Sequence, residues 1–237
     1  MFSCIAFAAG LVRGYSGFGF AMLMALGLML WLPPAEAVPV ALILDVVCSV
    51  TLWPAALRVV HGRVLGRLVT GMLLAVPLGA WALLWLPAHI VAPLVAVLCL
   101  WGGALVLWRP AVAKPVSQGM AWLAGLASGL ATTLASAGGP PLMIYLLRSG
   151  LDARQLRGTA VLFFLASSGA ALIGLGVAGV LTSAQWRLAL ELALPALAGN
   201  LLGQWLHPRW QPLPLHVLVG GLLVLLSLGS LLRALWV

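Results

Sequence analysis

Apolar residues dominate the chain in long stretches, and short groups of charged residues, glycine and proline separate these stretches. The pattern predicts eight hydrophobic elements: residues 2–32, 37–57, 68–86, 90–108, 119–147, 155–178, 187–206 and 214–236. A helix of about 20 apolar residues is long enough to cross the hydrocarbon core of a bilayer. The pattern therefore predicts an all-α integral membrane protein.

Two of these elements are interrupted by helix-breaking residues. The first carries glycines at positions 10, 14, 17 and 19, and the fifth carries glycines at positions 125, 129, 138 and 139, followed by Pro140. An unpaired backbone N–H or C=O in hydrocarbon costs several kcal/mol, so a break is tolerated only where protein or a polar cavity surrounds it. Matching breaks in two halves of a membrane protein point to a shared binding site.

The two halves of the chain resemble each other. Gly10 corresponds to Gly125 at an offset of 115 residues, and Pro77 corresponds to Pro195 at an offset of 118. We interpret this similarity as an internal repeat of about four elements. It divides a single transmembrane domain, residues 1–237, into repeat 1 (1–110), a connector (111–117) and repeat 2 (118–237).

The basic residues distinguish two arrangements of the elements. If all eight crossed the membrane, seven basic residues would lie on the cytoplasmic side and four on the other. If the first element of each half is instead a hairpin that returns to its own side, nine face the cytoplasm and two, Arg187 and Arg233, face the other side, while Arg13 lies within the first hairpin and is counted on neither side. The positive-inside rule favours the second arrangement. We therefore predict inverted repeats, with a broken or re-entrant first element in each half.

Composition supports the membrane class and excludes several others. Hydrophobic residues make up 64% of the chain and charged residues 7%, against about 25% charged in soluble domains. The net charge of +8 comes from basic residues scattered over several loops, so no nucleic acid is expected as a partner. The three cysteines lack metal-binding spacing, and no metal or cofactor is expected. A lipid bilayer and a small anion are the expected partners, and a homo-oligomer is left open.

The segment from Gly10 to Pro39, with its glycine-rich break, apolar run and acidic turn, resembles the start of the sulfite exporter TauE/SafE family of bacterial membrane transporters. The segment from Gly125 to Leu147 resembles the family's second copy, and the resemblance covers nearly the whole chain. It implies a transporter rather than an enzyme, located in the bacterial cytoplasmic (inner) membrane as a multi-pass protein. The implied substrates are sulfite, organosulfonates or related organic acids.

A broken helix presents free N–H groups at the start of its second half, and these groups bind anions together with the helix dipole. We therefore predict a midplane anion site between the two breaks. The predicted substrate-binding residues are Arg13, Tyr15, Ser16, Gly17, Phe18, Gly19, Ser49, Thr132, Thr133, Ser136, Gly138, Gly139, Pro140, Ser167, Asn200 and Gln204. Close helix packing is the alternative for the outer glycines, and hydrogen bonds within or between helices are the alternative for the polar side chains.

Two charged residues within apolar elements have two interpretations each. Arg13, beside the first break, either attracts the anion or extends to the lipid headgroups. Asp45, one helical turn before Ser49, either couples transport to a proton gradient or forms a structural hydrogen bond between helices. The repeat relates Ser49 to Ser167, so both hydroxyls are candidates for the site.

Two other functions fit parts of the pattern. A passive anion channel would use the same constriction lined by backbone N–H groups. An intramembrane hydrolase would need a base beside a nucleophile such as Ser128, and no histidine lies deep in an apolar element. We therefore predict a transporter that exposes its midplane site to each side in turn.

Overall fold

The computed structural model describes residues 1–108 and 119–206, together with positions 221, 224, 225, 227 and 228. Its helices are α1 (Phe2–Ser16), α2 (Phe20–Met29), α3 (Pro34–Leu57), α4 (Gly62–Trp85), α5 (Ala88–Trp108), α6 (Met120–Ala135), α7 (Gly139–Leu147), α8 (Ala153–Val177) and α9 (Ser183–Leu206). The described residues contain no strand, so the all-α prediction is confirmed. The connector 111–117 and most of the element 214–236 lie outside the described residues.

Polar caps set where several long helices begin. The Asp152 carboxylate accepts a hydrogen bond from the backbone N–H of Gln155 (2.8 Å) at the start of α8. Nδ1 of His61 accepts one from the N–H of Val64 (3.3 Å) at the start of α4. Pro34 occupies the first turn of α3, where its missing N–H costs no hydrogen bond. These helices begin before the predicted apolar elements because the capping residues precede the apolar ones.

Both predicted interruptions are present. α1 ends where Gly17 adopts a left-handed conformation (φ 83°), and Gly19 (φ 89°) precedes α2. α6 ends at a left-handed Ser136 (φ 53°), and α7 begins at Gly139. Glycine adopts such angles without steric cost, whereas a residue with a Cβ is strained there. Ser136 therefore holds backbone strain at the second break.

The first predicted element folds back on itself. The rings of Phe2, at the start of α1, and Trp31, just after α2, lie 5.7 Å apart in an edge-to-face arrangement. Gly27 on α2 lies against the side chain of Ile5 on α1. Nine of the ten residues of α2 are buried, which fits its uniformly apolar sequence. The two arms thus begin and end at the same end of the molecule.

Glycines bring two pairs of helices into backbone contact. Gly10 and Gly14 on α1 lie against the backbone of α9, and Gly125 and Gly129 on α6 lie against the backbone of α4. A Cβ at Gly10 would overlap the carbonyl oxygen of Ala196 on α9. Small residues one turn apart permit this close approach. The packing interpretation of the outer glycines is confirmed.

α3 and α8 run antiparallel beside each other, and their contacts show which helix ends lie together. The backbone N–H of His61, after α3, donates to Oγ1 of Thr159 near the start of α8 (3.2 Å). At the opposite end, Nε2 of Gln185 near the start of α9 donates to the carbonyl oxygen of Ala35 in α3 (3.0 Å). The end of α3 therefore lies beside the start of α8, and the starts of α3 and α9 lie together.

Three of the described helices are long and apolar enough to cross a membrane: Pro34–Leu57, Gly62–Leu83 and Ala153–Val177. α1, α2, α6 and α7 have 15, 10, 16 and 9 residues. At a rise of about 1.5 Å per residue, none of these four covers the roughly 30 Å of a hydrocarbon core. The two interrupted elements therefore provide no single spanning helix.

Candidate functional site

The two breaks enclose a small space beside the middle of α3 and α8, which we call the central cavity. Its volume is about 10 Å³, roughly the room that one water molecule needs. Its lining residues are Arg13, Gly19, Ala21, Met22, Asp45, Thr132, Ser136, Gly138, Gly139, Phe164 and Ser168. The structure therefore brings the starts of α2 and α7 together at one cavity, with a charged pair between them.

The guanidinium of Arg13 is held inside the protein by groups on two other helices. The side chain is 1% exposed. Its Nη2 donates a hydrogen bond to Oγ of Ser49 on α3, and its Nη1 lies 3.4 Å from Oδ1 of Asp45 on the same helix. The guanidinium carbon lies 5.2 Å from the centre of the Phe164 ring on α8, within cation–π range. Arg13 therefore does not extend to the headgroup region, as the alternative interpretation had it.

Asp45 takes part in both an ion pair and a hydrogen bond between helices. Oγ of Ser168 on α8 donates to Oδ2 of Asp45 (2.7 Å). The 3.4 Å between Arg13 and Asp45 exceeds the roughly 2.7–2.9 Å of a strong charge-assisted hydrogen bond. The structural hydrogen bond between helices that was the alternative for Asp45 is therefore present. The same carboxylate also pairs with Arg13, at a distance longer than that of a strong hydrogen bond.

Three buried polar atoms of cavity-lining residues have no hydrogen-bond partner: Nε of Arg13, Oδ1 of Asp45 and Oγ of Ser136. Buried polar atoms nearly always have a partner, so unpaired ones need an explanation. Two of the three can donate a hydrogen bond, which suits an anion. Over the described ranges, no three His, Cys, Asp or Glu side chains come together as a metal site.

The hydroxyls near the second break bond to their own helix. Oγ1 of Thr132 donates to the carbonyl oxygen of Ser128 (2.8 Å), and Oγ1 of Thr133 donates to that of Gly129 (2.9 Å). Thr132 still lines the central cavity, whereas Thr133 lies against Gly79 on α4. Gly138 and Gly139 line the cavity, and Pro140 is buried in the first turn of α7. The second break therefore offers mainly backbone groups and the Ser136 hydroxyl.

The first break is held in shape by Ser16. Its Oγ lies 2.7 Å from the carbonyl oxygen of Val12 and 2.9 Å from that of Phe18, and it accepts a bond from the N–H of Phe18 (3.3 Å). Gly19 is the cavity-lining residue here. The predicted residues of this segment that lie outside the lining are Tyr15, Ser16, Gly17 and Phe18. The hydroxyl of Ser16 therefore supports the turn.

The two amides of α9 lie outside the central cavity and bond to α3. Nδ2 of Asn200 donates to the carbonyl oxygen of Cys48 (3.0 Å) and to Oγ1 of Thr51 (2.8 Å). Nε2 of Gln204 also donates to Oγ1 of Thr51 (2.9 Å). This is the hydrogen bonding between helices that was the alternative for these residues.

The sequence-based interpretation missed Phe164 and Ser168, and it selected Ser167 instead. Oγ of Ser167 donates to the carbonyl oxygen of Phe164 (3.3 Å) on its own helix, whereas Ser168 reaches Asp45. The repeat offset related Ser49 to Ser167, one residue away from the hydroxyl that lines the cavity. The pair of adjacent serines was the available signal, but it does not say which one faces Asp45.

Comparison with protein families gives one finding over most of the chain. Residues 2–229 match the family model described as "Sulfite exporter TauE/SafE". Comparison with curated proteins and with solved structures gives no match. The family match spans both breaks and all the helices that line the central cavity.

Proposed function

We propose that this chain, which belongs to the sulfite exporter TauE/SafE family of membrane transporters, carries a small sulfur-containing oxyanion through the central cavity. Sulfite and organosulfonates are the substrate class, and the bacterial cytoplasmic membrane is the location. The observation that carries the proposal is the buried guanidinium of Arg13, with its Nε unpaired, between the two helix breaks.

Backbone groups of both breaks supply the rest of the anion site. α2 begins after Gly19 and α7 begins at Gly139, and both glycines line the central cavity. The first N–H groups of a helix have no partner within it, and the helix dipole places partial positive charge there. An oxyanion in the cavity would therefore meet two helix N-termini, the hydroxyl of Ser136 and the guanidinium of Arg13.

Asp45 gives this site a means of coupling to protons. Its carboxylate and an incoming oxyanion would both interact with the same guanidinium, and like charges at close range repel. Protonation of Asp45 removes that competition, so Arg13 becomes available to the substrate. We therefore assign Asp45 as the proton-coupling group, with Ser168 holding its carboxyl group in place.

The contacts between helix ends support inverted repeats around this site. An arrangement in which all eight elements cross would place the end of α3 and the start of α8 on opposite membrane faces, about 30 Å apart. His61 and Thr159 instead share a hydrogen bond of 3.2 Å. The first hairpin also returns to its own end, where Phe2 and Trp31 meet. These contacts favour six crossings and two re-entrant hairpins.

The size of the central cavity favours a carrier over a channel. A volume of about 10 Å³ is too small for a sulfite ion, so the lining must move for the substrate to enter. A carrier that exposes its site to one side at a time requires such movement. A passive channel requires an open path that the ion can enter and leave.

Thermal unfolding of the purified protein across a panel of sulfite, sulfonates, sulfate and short carboxylates tests the proposal. A ligand that binds the folded state raises the unfolding temperature as its concentration exceeds Kd. We expect sulfite or a sulfonate to stabilise the protein. Ser136→Ala should weaken the binding of that ligand about tenfold, because one hydrogen bond to a charged group is lost.

Ser128→Ala is the matched control for that measurement. Ser128 is also a buried hydroxyl without a hydrogen-bond partner on α6, but it does not line the central cavity. Equal losses in the two variants, or a panel in which no anion stabilises the protein, would contradict the proposed site.

A further inference from the structure

A second, larger cavity lies at the end of the molecule where α3 ends and α8 begins. We call it the basic vestibule. Its volume is about 260 Å³. Its lining residues are Leu52, Ala55, Ala56, Val59, Arg154, Arg157, Gly158, Val161 and Gln204. It has room for a small anion without rearrangement, which the central cavity does not.

The vestibule contains positive charge without a compensating carboxylate. Arg154 and Arg157 lie one helical turn apart on α8, so both project from the same face. No acidic residue is among the lining residues, and neither arginine forms an ion pair within the described part of the chain. Two guanidinium groups at one cavity can donate hydrogen bonds to the same oxyanion, and each such charged bond is strong.

Arg157 also connects the vestibule to the first break. Its Nη2 donates to the carbonyl oxygen of Gly14 (2.9 Å), which belongs to the last turn of α1. Its aliphatic part lies against Gly17, where a Cβ would come within 3.1 Å of Cγ. A cation at a helix C-terminus stabilises the helix end. The same guanidinium therefore holds α1 in place and contributes charge to the vestibule.

Polar side chains of α3 meet both the helix that lines the vestibule and the helix that carries Arg13. Gln204 lines the vestibule and bonds to Thr51 on α3, and Asn200 bonds to the same threonine. Ser49, two residues before Thr51, accepts the hydrogen bond of Arg13 at the central cavity. Because residues two apart face different sides of a helix, Ser49 faces Arg13 of α1, whereas Thr51 faces the amides of α9.

We propose that the basic vestibule is a second oxyanion site, through which the substrate passes on its way between the cytoplasmic side and the central cavity. The proposal rests on the proposed function. The guanidinium of Arg157 has N–H groups besides the one that it donates to Gly14, so it binds the oxyanion while it holds the end of α1.

Calorimetric titration of the purified protein with sulfite in neutral detergent tests this second site. The wild type should bind sulfite at two sites, and Arg13→Gln should keep only the vestibule site. In the Arg13→Gln background, Arg154→Gln should weaken the remaining binding about tenfold, because one charged hydrogen-bond donor is lost.

Arg63→Gln, also in the Arg13→Gln background, is the matched control. Arg63 is an exposed arginine at the start of α4 and does not line the vestibule, so its replacement removes the same charge elsewhere. Arg157→Gln should act like Arg154→Gln. Because Arg157 also bonds to Gly14, Arg154→Gln decides the result if Arg157→Gln does not fold.

The outcomes separate this proposal from the proposed function. Sulfite binding by Arg13→Gln that equals the wild type would overturn the proposed function of the central cavity. Absence of any binding by folded Arg13→Gln, or residual binding that Arg154→Gln and Arg63→Gln affect equally, would overturn the vestibule site. If Arg13→Gln does not fold, the double variant Arg13→Gln/Asp45→Asn replaces it as the background.

The phosphate of an anionic lipid has the same chemistry as a free oxyanion, and a second titration distinguishes them. It uses Arg13→Gln in nanodiscs with and without phosphatidylglycerol. Sulfite binding that is unaffected by this lipid supports the free anion as the occupant. Loss of sulfite binding in the lipid's presence would make the lipid phosphate the occupant and would overturn the vestibule as a site for the free anion.

Discussion

A guanidinium deep in a membrane protein is costly to bury, and Arg13 is retained by contacts with three different groups. Asp45 supplies opposite charge, Ser49 accepts a hydrogen bond, and the ring of Phe164 lies over the guanidinium plane. Each contact leaves Nε unused. The arrangement therefore keeps a fixed positive charge at the centre of the protein and leaves one of its donors for a ligand.

The substitution Arg13→Gln tests the ion pair between Arg13 and Asp45. We expect Arg13→Gln to destabilise the protein by about 3–5 kcal/mol, because the carboxylate of Asp45 loses its partner in a buried environment. The double variant Arg13→Gln/Asp45→Asn should recover most of this stability but not sulfite binding at the central cavity. Unfolding in mixed detergent and calorimetric titration provide the two readouts.

Asp45→Asn alone serves as the comparison for that double variant. It retains an uncharged side chain that can still accept a hydrogen bond from Ser168. If the double variant were as unstable as Arg13→Gln alone, then an unpaired Asp45 would not be the cause of the instability.

At the scale of the element, the two breaks reach similar positions by different local means. The first uses Gly17 and Gly19 at positive φ, and the second uses a strained Ser136 followed by Gly138 and Gly139. In a continuous helix through either segment, the N–H groups that now begin α2 and α7 would form backbone hydrogen bonds within that helix. The breaks are therefore required for the helix N-termini to face the central cavity.

Substituting the glycines of the first break tests this requirement. Gly17→Ala and Gly19→Ala should each destabilise the protein by about 1–2 kcal/mol, because alanine is strained at left-handed angles, and both should reduce sulfite uptake. Gly169→Ala is the control, since Gly169 lies within α8 with open space around its Cα. It should stabilise the protein by up to about 1 kcal/mol. Uptake into proteoliposomes and thermal unfolding measure both effects.

The outcome that contradicts this account is specific. If Gly17→Ala and Gly19→Ala behaved like Gly169→Ala, the left-handed angles would not be needed for the fold or for uptake.

At the scale of the whole molecule, the arrangement of helix ends sets the orientation in the membrane. The end with the basic vestibule carries Arg154 and Arg157, and the positive-inside rule assigns such an end to the cytoplasm. The opposite end carries the starts of α3 and α9, where Gln185 bonds to Ala35. The proposed inverted repeats place these two ends on opposite membrane faces.

Cysteine labelling in whole cells tests this orientation. In a Cys4→Ser background, Ser183→Cys should react with an impermeant thiol reagent added outside the inner membrane, and Arg63→Cys should react only after the membrane is opened. Both positions are exposed, and Cys48 and Cys99 are buried. Labelling of Arg63→Cys in intact cells would contradict this orientation. Failure of Ser183→Cys to react in intact cells would contradict the inverted arrangement, since eight crossings would place position 183 in the cytoplasm with position 63.

Features that depend on local chemistry were predictable from the sequence. The breaks follow from glycine and proline, which act within a few residues, and the close packing of Gly10 and Gly125 follows from small residues at helical spacing. The α-helical class follows from the long apolar stretches. Each of these requires no knowledge of which helices are neighbours.

Features that depend on helix register were not predictable. Ser167 and Ser168 differ by about 100° around the helix axis, and that rotation decides which one reaches Asp45. Arg13 and Asp45 were each selected as site candidates, but no sequence spacing pairs residues on different helices. The bonds of Asn200 to Thr51 depend in the same way on how α9 packs against α3.

The glycine contacts have a consequence for how the protein changes shape. α1 touches α9 and α6 touches α4 through their backbones at these glycines, and such close-packed contacts resist sliding. Each pair should therefore move as a single rigid body, and each combines a short helix from one half of the chain with a long helix from the other half. Sliding during a transport cycle is then confined to the surfaces between these two bodies and the α3–α8 layer, where Asp45 and Ser168 meet.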